Sequence, residues 1–255
     1  MEITLKMYLI VIPLTFLAGF VDAIGGGGGL ISLPAYMLAG LPTHYAIASN
    51  KLTGVGGTSI SLARFIKQGY VVLKLAIPCV IAAVIGSATG ARMNLLVSER
   101  VLAVAMIIIL PIMMLIVFNK KLFPDREDET VVLNRRTYLT GALSALVVGV
   151  YDGFYGPGAG TLWIIAFSVF AKLGIKTSNA HAKVINFTTS ATSLLVYMLS
   201  GNVLFKLAFP SMLANMAGSY LGTGLAIKNG SRITKPVIVI VLVLLGVKIV
   251  TENFL

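Results

Sequence analysis

The 255-residue chain is short of charge: only 11% of its residues are Asp, Glu, Lys or Arg, where a soluble globular domain carries about 25%. That leaves too little polar surface to coat a water-soluble particle of this size. Cysteine is nearly absent, and Cys79 alone cannot close an intramolecular disulfide. The two histidines, His44 and His181, lie far from Cys79 and from each other, so no metal-ligand spacing exists. Despite 26 glycines, there is no G-x-x-x-x-G-K-[ST] and no G-x-G-x-x-G. These absences argue against ATP-driven, dinucleotide-dependent or metal-dependent chemistry in this chain, and no cofactor is expected. No nucleophile–base spacing marks an enzyme either, and an enzymatic or scaffolding membrane protein is the weaker alternative.

What is abundant is apolar sequence. Hydrophobic residues make up 57% of the chain, with a mean hydropathy of +0.94. They run in blocks such as Val71–Ala91, Val101–Phe118 and Val237–Val250, long enough, or nearly so, to cross a hydrocarbon layer of roughly 30 Å. Backbone groups inside lipid must bond internally, so the blocks are helices and the chain reads as an all-α integral membrane protein of the cell (inner) membrane. The net charge of +11 could suggest nucleic acid. Its basic residues are instead scattered between apolar runs, which suits the cytoplasmic loops of a multi-pass protein and no nucleic-acid partner.

The chain also repeats itself. The polar linker 119–136 divides a first transmembrane repeat, 1–118, from a second, 137–255. Asp22 in GFVDAIGGGGGL matches Asp152 in GVYDGFYGPGAGTL. Two residues are inserted after that point, and an offset of 132 then holds. Lys51 meets Lys183; Lys74 and Pro78 meet Lys206 and Pro210; Gly86–Ser87 meets Gly218–Ser219. Each half predicts five helical elements: 5–24, 28–40, 44–66, 71–92 and 99–118, then 138–154, 158–173, 178–199, 203–226 and 233–251. The second element is short in both halves and follows a glycine-rich stretch. Interrupted segments at matching positions are the best pointer to a transporter binding site. The distribution of Lys and Arg favours halves of inverted topology.

Two acidic residues, Asp22 and Asp152, fall inside apolar sequence, and they are repeat partners. A charge near the bilayer centre costs roughly 2.5–3.5 kcal/mol on insertion scales, so each is expected either to cap a broken helix or to take part in coupling. Lys51 and Lys183 fall about two turns into their helices, counted from Thr43 and Thr177 read as N-caps. The sharper expectation is that these two amines, left unneutralised by the polypeptide, hold a small anion; the plainer one is an ion pair with Asp22 or Asp152 that only fixes helix positions. Asn50 and Asn186, the backbone N–H groups around Gly26, Gly27 and Gly28, and those around Gly156, Pro157 and Gly158 would complete a midplane cage. His181 is either a proton-relay group or a packing residue. Gly86-x-x-x-Gly90 and Gly218-x-x-x-Gly222 are expected to pack helices, and Trp163, Tyr36 and Tyr197 to anchor the chain at the interface. A cation or neutral-solute carrier built on Asp22 and Asp152 is the rival transport reading.

The strings GFVDAIGGGGGLISLPAYMLAGLP, ASNKLTGVGGT, YDGFYGPGAGT and AKVINFTTSATSLLVYML resemble the sulfite exporter TauE/SafE family, also called the toluene sulfonate uptake permease family. The resemblance runs from about Pro13 to Lys248. It implies a secondary transporter for sulfite, organosulfonates or related anions. Asn50–Lys51 falls where the pattern is strongest, whereas Ala182 stands in the second half where the first has asparagine, and Asn186 would substitute one turn on. A proton or sodium gradient, and a homodimer, stay open as partners.

Overall fold

A computed structural model describes residues 3–102 and 133–229 and the single positions 104, 108, 112 and 233. Most of the expected fifth elements and most of the linker lie outside these residues. Among the described residues the chain is helical, with no strand. Four helices come from the first half: α1 Leu5–Gly25, α2 Gly29–Leu38, α3 Thr43–Lys67 and α4 Leu73–Leu96. The second contributes α5 Arg135–Phe154, α6 Ala159–Ile165, α7 Ile175–Leu199 and α8 Phe205–Asn229. A π-helical stretch, Ala166–Phe170, continues α6.

That π segment explains the insertion. The starts of α2 and α6 differ by 130 in residue number, and those of α3 and α7 by 132. The two extra residues therefore lie within the second element, which holds seven α-helical and five π-helical residues against ten in α2. Widening a turn to i→i+5 bonding absorbs inserted residues without ending the helix.

The first helix of each half packs against the fourth of the other: α1 on α8, and α5 on α4. Glycine makes both crossings. A Cβ at Gly86 or Gly90 would drive into the carbonyls of Leu146 and Val150, and one at Gly218 or Gly222 into those of Phe16 and Phe20. The contacts recur at the offsets of the sequence match, and close backbone approach over small residues is how helices associate in lipid. Facing outward, α4 exposes Leu73, Ile77, Ile81 and Ile85, α5 exposes Leu139, Leu143 and Val147, and α8 exposes Phe205, Phe209 and Leu213. Such stripes at every fourth residue suit contact with lipid rather than water. By length and hydropathy, α1 and α4 are the described helices able to cross a membrane. The 25-residue α3 and α7 are more polar, and their polar residues face inward.

Three expectations are corrected here. Trp163, Tyr36 and Tyr197 are not interfacial anchors: all three are fully buried. Their polar ends are hydrogen-bonded inside, Trp163 to the Ser144 carbonyl, Tyr36 to Thr53 and Tyr197 to the Gly153 carbonyl. Thr43 is not the cap of α3. The helix begins at Thr43, and the Glu99 carboxylate accepts from the Thr43 and His44 amides at 2.6 and 3.1 Å. Helix α7 begins at Ile175 rather than Thr177, so Lys51 and Lys183 lie at the same depth in their helices.

Candidate functional site

The site forms where α1 and α5 stop. Helix α1 ends at Gly25 because Gly26 and Gly27 adopt φ of 74° and 86°, conformations that glycine alone takes cheaply. Helix α5 ends at Phe154, with Gly156 and Gly158 at φ of 102° and 84°. The two loops lie back to back. A Cβ on Gly26 would collide with the backbone of Gly160 and Thr161, Gly29 faces Pro157, and the Thr161 hydroxyl donates to the Gly25 carbonyl.

Stopping a helix inside the protein leaves carbonyls without partners and the negative end of a helix dipole. Cross-half side chains meet both needs. Asn179 of α7 donates to the Ala23 and Ile24 carbonyls at 3.1 and 3.0 Å, and Asn94 of α4 donates to the Phe154 carbonyl at 2.7 Å. Lys183 donates to the main-chain carbonyl of Asp22, and Lys51 to that of Asp152. Each amine also meets the carboxylate of the same aspartate: Lys183 Nζ lies 2.6 Å from Asp22 Oδ2 and Lys51 Nζ 3.0 Å from Asp152 Oδ2.

The expectation of two unneutralised amines is therefore overturned. Both lysines are paired, each with the aspartate of the opposite half, because a buried ammonium next to the negative end of a broken helix draws in the nearest carboxylate. The ion-pair alternative holds for both. A polar hollow nonetheless remains beside the pairs, about 50 Å³ in volume. It is far below the 300–1,000 Å³ of a drug-sized site and suits a compact ion.

Of the expected site residues, Asp22, Gly27, Gly28, Asn50, Lys51, Asp152, Gly156, Gly158 and Asn186 border this hollow; Gly26, Pro157, Lys183 and His181 do not. Gly26 and Pro157 instead join the two loops. Lys183 is fully buried behind Asp22, whose side chain is 16% exposed. His181 is excluded by its bonding. Its Nδ1 donates to the Thr177 carbonyl at 2.9 Å, and its Nε2 faces the Val72 amide at 3.3 Å at the start of α4. The matched position Ser49 does the same for α8, its hydroxyl accepting from the Leu204 amide at 3.1 Å. Histidine and serine hold the same joint in opposite halves, which makes His181 a structural cap.

Ser32, Gly54, Thr58, Ser190 and Asn215 also border the hollow and were missed from sequence. Thr58 and Ser190 are repeat partners, so one signal was available. Asn215 matches Ala83 and carries none; its amide donates to the Thr15 carbonyl at 2.8 Å across the α1–α8 crossing. Asn50 and Asn186 sit at non-equivalent positions one turn apart, yet both reach the same space, as expected from the Ala182 substitution.

Known proteins share this chain's pattern. The model of the sulfite exporter TauE/SafE family matches residues 11–249. The chain belongs to that family. A probable membrane transporter of Haemophilus influenzae is 32% identical over 254 residues, covering 99% of this chain and 98% of its own. The probable membrane transporter YfcA of Escherichia coli K12 is 33% identical over 242 residues, with 93% and 87% covered. ORF9 of a Sinorhizobium species, also a probable membrane transporter, is 30% identical over 237 residues, with 93% and 90% covered. No solved structure matches the chain.

Proposed function

We propose that this TauE/SafE family transporter is a secondary carrier of a small anion: sulfite, an organosulfonate or a related sulfur-containing anion. It would be a multi-pass protein of the cell membrane whose two halves run oppositely across the bilayer, with the substrate held between the two helix breaks. The observation that carries the reading is the hollow itself. Lys51 presents an ammonium to it, the first turn of the ten-residue α2 presents the Gly28–Gly29 backbone, Asn50, Asn186 and Asn215 supply amides, and the hydroxyls of Ser32, Thr58 and Ser190, which donate to Gly28, Gly54 and Asn186, complete the polar lining. A helix start whose Gly28 N–H is already held by the Asp22 carboxylate, an amine and several amides form an environment suited to an oxyanion. The volume of about 50 Å³ favours a compact one.

A panel of sulfite, thiosulfate, methanesulfonate, sulfate and small carboxylates, tested for thermal stabilisation of the purified protein, identifies the ligand. An anion bound only by the folded form raises the unfolding temperature, and Lys51→Ala should abolish the rise. Flux in proteoliposomes then tests carriage. No response to any oxyanion sinks the reading.

A specific observation favours one rival. Asp22 and Asp152 both border the hollow and both amines are matched, so a cation carrier would have two carboxylates available. Stabilisation by alkali cations or by organic amines, lost in Asp22→Asn and kept in Lys51→Ala, would select it.

A further inference from the structure

We infer that Asp152 takes up one proton when an anion reaches Lys51, so that proton and anion are carried together. This rests on the carrier reading above and goes beyond it by naming the co-transported ion and the atom group that holds it.

The two ion pairs differ. The Asp22 carboxylate is satisfied on both oxygens: Oδ1 accepts from the Gly28 amide at 3.2 Å and Oδ2 from Lys183 at 2.6 Å. Its amine is sealed from the hollow. The Asp152 carboxylate is less well held. Its buried Oδ2 accepts no hydrogen bond from any described residue; Lys51 Nζ lies 3.0 Å away but is directed to the main-chain carbonyl. Lys51 also borders the hollow, as Lys183 does not. An anion can reach an amine only at Lys51, and there it meets an ionised carboxylate already in place.

Two negative groups sharing one buried ammonium repel strongly in a medium of low dielectric. A proton on Asp152 removes that repulsion. The carboxylate becomes a carboxylic acid, Lys51 stays an ammonium, and the anion takes the carboxylate's place at Nζ. The balance closes: two ammonium and two carboxylate groups sum to zero before binding, and one added proton with one added monoanion sum to zero after it.

The other ionisable groups around Asp152 are otherwise engaged. Tyr151 donates to the Pro157 carbonyl and Tyr197, from α7, to the Gly153 carbonyl. The buried phenol of Tyr155 has no hydrogen-bond partner among the described residues and is a poor proton acceptor at neutral pH. The α4 face against this end of α5 is Gly86, Ser87 and Gly90, none of them ionisable. His181 is committed to Thr177 and Val72. Across the hollow, a proton on Asp22 would strand the fully buried Lys183 without a counter-ion. Asp152 is left as the acceptor.

Linkage sets the sign. The anion-bound protein holds one more proton than the free protein, so anion affinity falls about tenfold for each pH unit of rise across the coupled range. The test is calorimetry on the purified full chain in nanodiscs, with methanesulfonate and sulfite, in buffers of differing ionisation heat. Methanesulfonate keeps its charge throughout; the protonation of sulfite itself cancels in the difference between wild type and variant. Wild type should take up one more proton per bound anion than Asp152→Asn, and the variant that removes both charges of the sealed pair, Asp22→Asn with Lys183→Met, should keep the wild-type proton uptake wherever it binds anion. Thermal unfolding checks that the variants fold; should Asp152→Asn not fold, the methanesulfonate pH profile of wild type decides alone. Binding with equal proton uptake in wild type and Asp152→Asn, or a flat profile, overturns the inference while leaving the carrier reading standing. Failure of wild type to bind either anion at any pH overturns the carrier reading and the inference with it.

Discussion

The Lys183–Asp22 and Lys51–Asp152 pairs occupy matched places in the two halves and do the same first job, tying off a helix that ends inside the protein. They differ in what stands next to them. Lys183 has no exposure and a carboxylate bonded on both oxygens; Lys51 borders a polar hollow and is ion-paired at 3.0 Å with a carboxylate oxygen that accepts no hydrogen bond from a described residue. Two joints at matched sequence positions thus differ in surroundings: one is sealed, and the other opens on the hollow. The same division shows at Ser49 and His181, where serine and histidine hold equivalent joints and the more reactive residue type has no access to the site.

The comparison breaks most visibly in stability. Lys183→Met leaves the Asp22 carboxylate and the carbonyl end of α1 without their fully buried cation and should destabilise the protein by about 3–5 kcal/mol, read as a drop in unfolding temperature in detergent. Lys51→Met should have a smaller effect on folding, because Lys51, unlike Lys183, borders the hollow and water can take its place there, while removing transport. Equal stability losses would mean the pairs are equivalent. Adding Asp22→Asn to Lys183→Met should recover most of the loss, since the stranded charge is gone. Asp152→Asn with Lys51→Met should fold well and carry nothing.

Glycine sharpens the contrast at lower cost. Gly218→Ala and Gly86→Ala push a methyl into a neighbouring helix carbonyl and should each destabilise by about 1–3 kcal/mol. Gly54→Ala meets only the Ser190 hydroxyl at 3.6 Å, so it should fold normally and impair transport by narrowing the hollow. Comparable or smaller, His181→Ala gives up two hydrogen bonds and should lose about 1–3 kcal/mol, and Ser49→Ala should lose about 0.5–1.5 kcal/mol, one hydrogen bond's worth. Neither should alter the pH dependence of transport; a change in His181→Ala alone would restore histidine to the proton path.

Much was legible in the chain. Asp22, Asp152, Lys51 and Lys183 stood out because charge in apolar sequence is expensive, and the glycine-rich strings marked where helices had to stop. Asn215 did not stand out: its repeat partner is Ala83, and an asparagine at a helix crossing looks like packing. The fate of Trp163, Tyr36 and Tyr197 was misread because aromatic residues with a polar tip suit both a bilayer interface and an interior carbonyl. Which one they meet depends on neighbours distant in sequence.

Composition and the matching glycine-rich strings alone pointed to a helical membrane protein with two broken helices, since lipid admits few alternatives and buried charge is too costly to be incidental. Only the tertiary structure decided which aspartate each lysine meets, that the partners are exchanged between halves, and that one amine is sealed while its counterpart opens on a hollow. Those outcomes depend on contacts of a few ångströms between segments more than a hundred residues apart, a distance at which local pattern exerts no constraint.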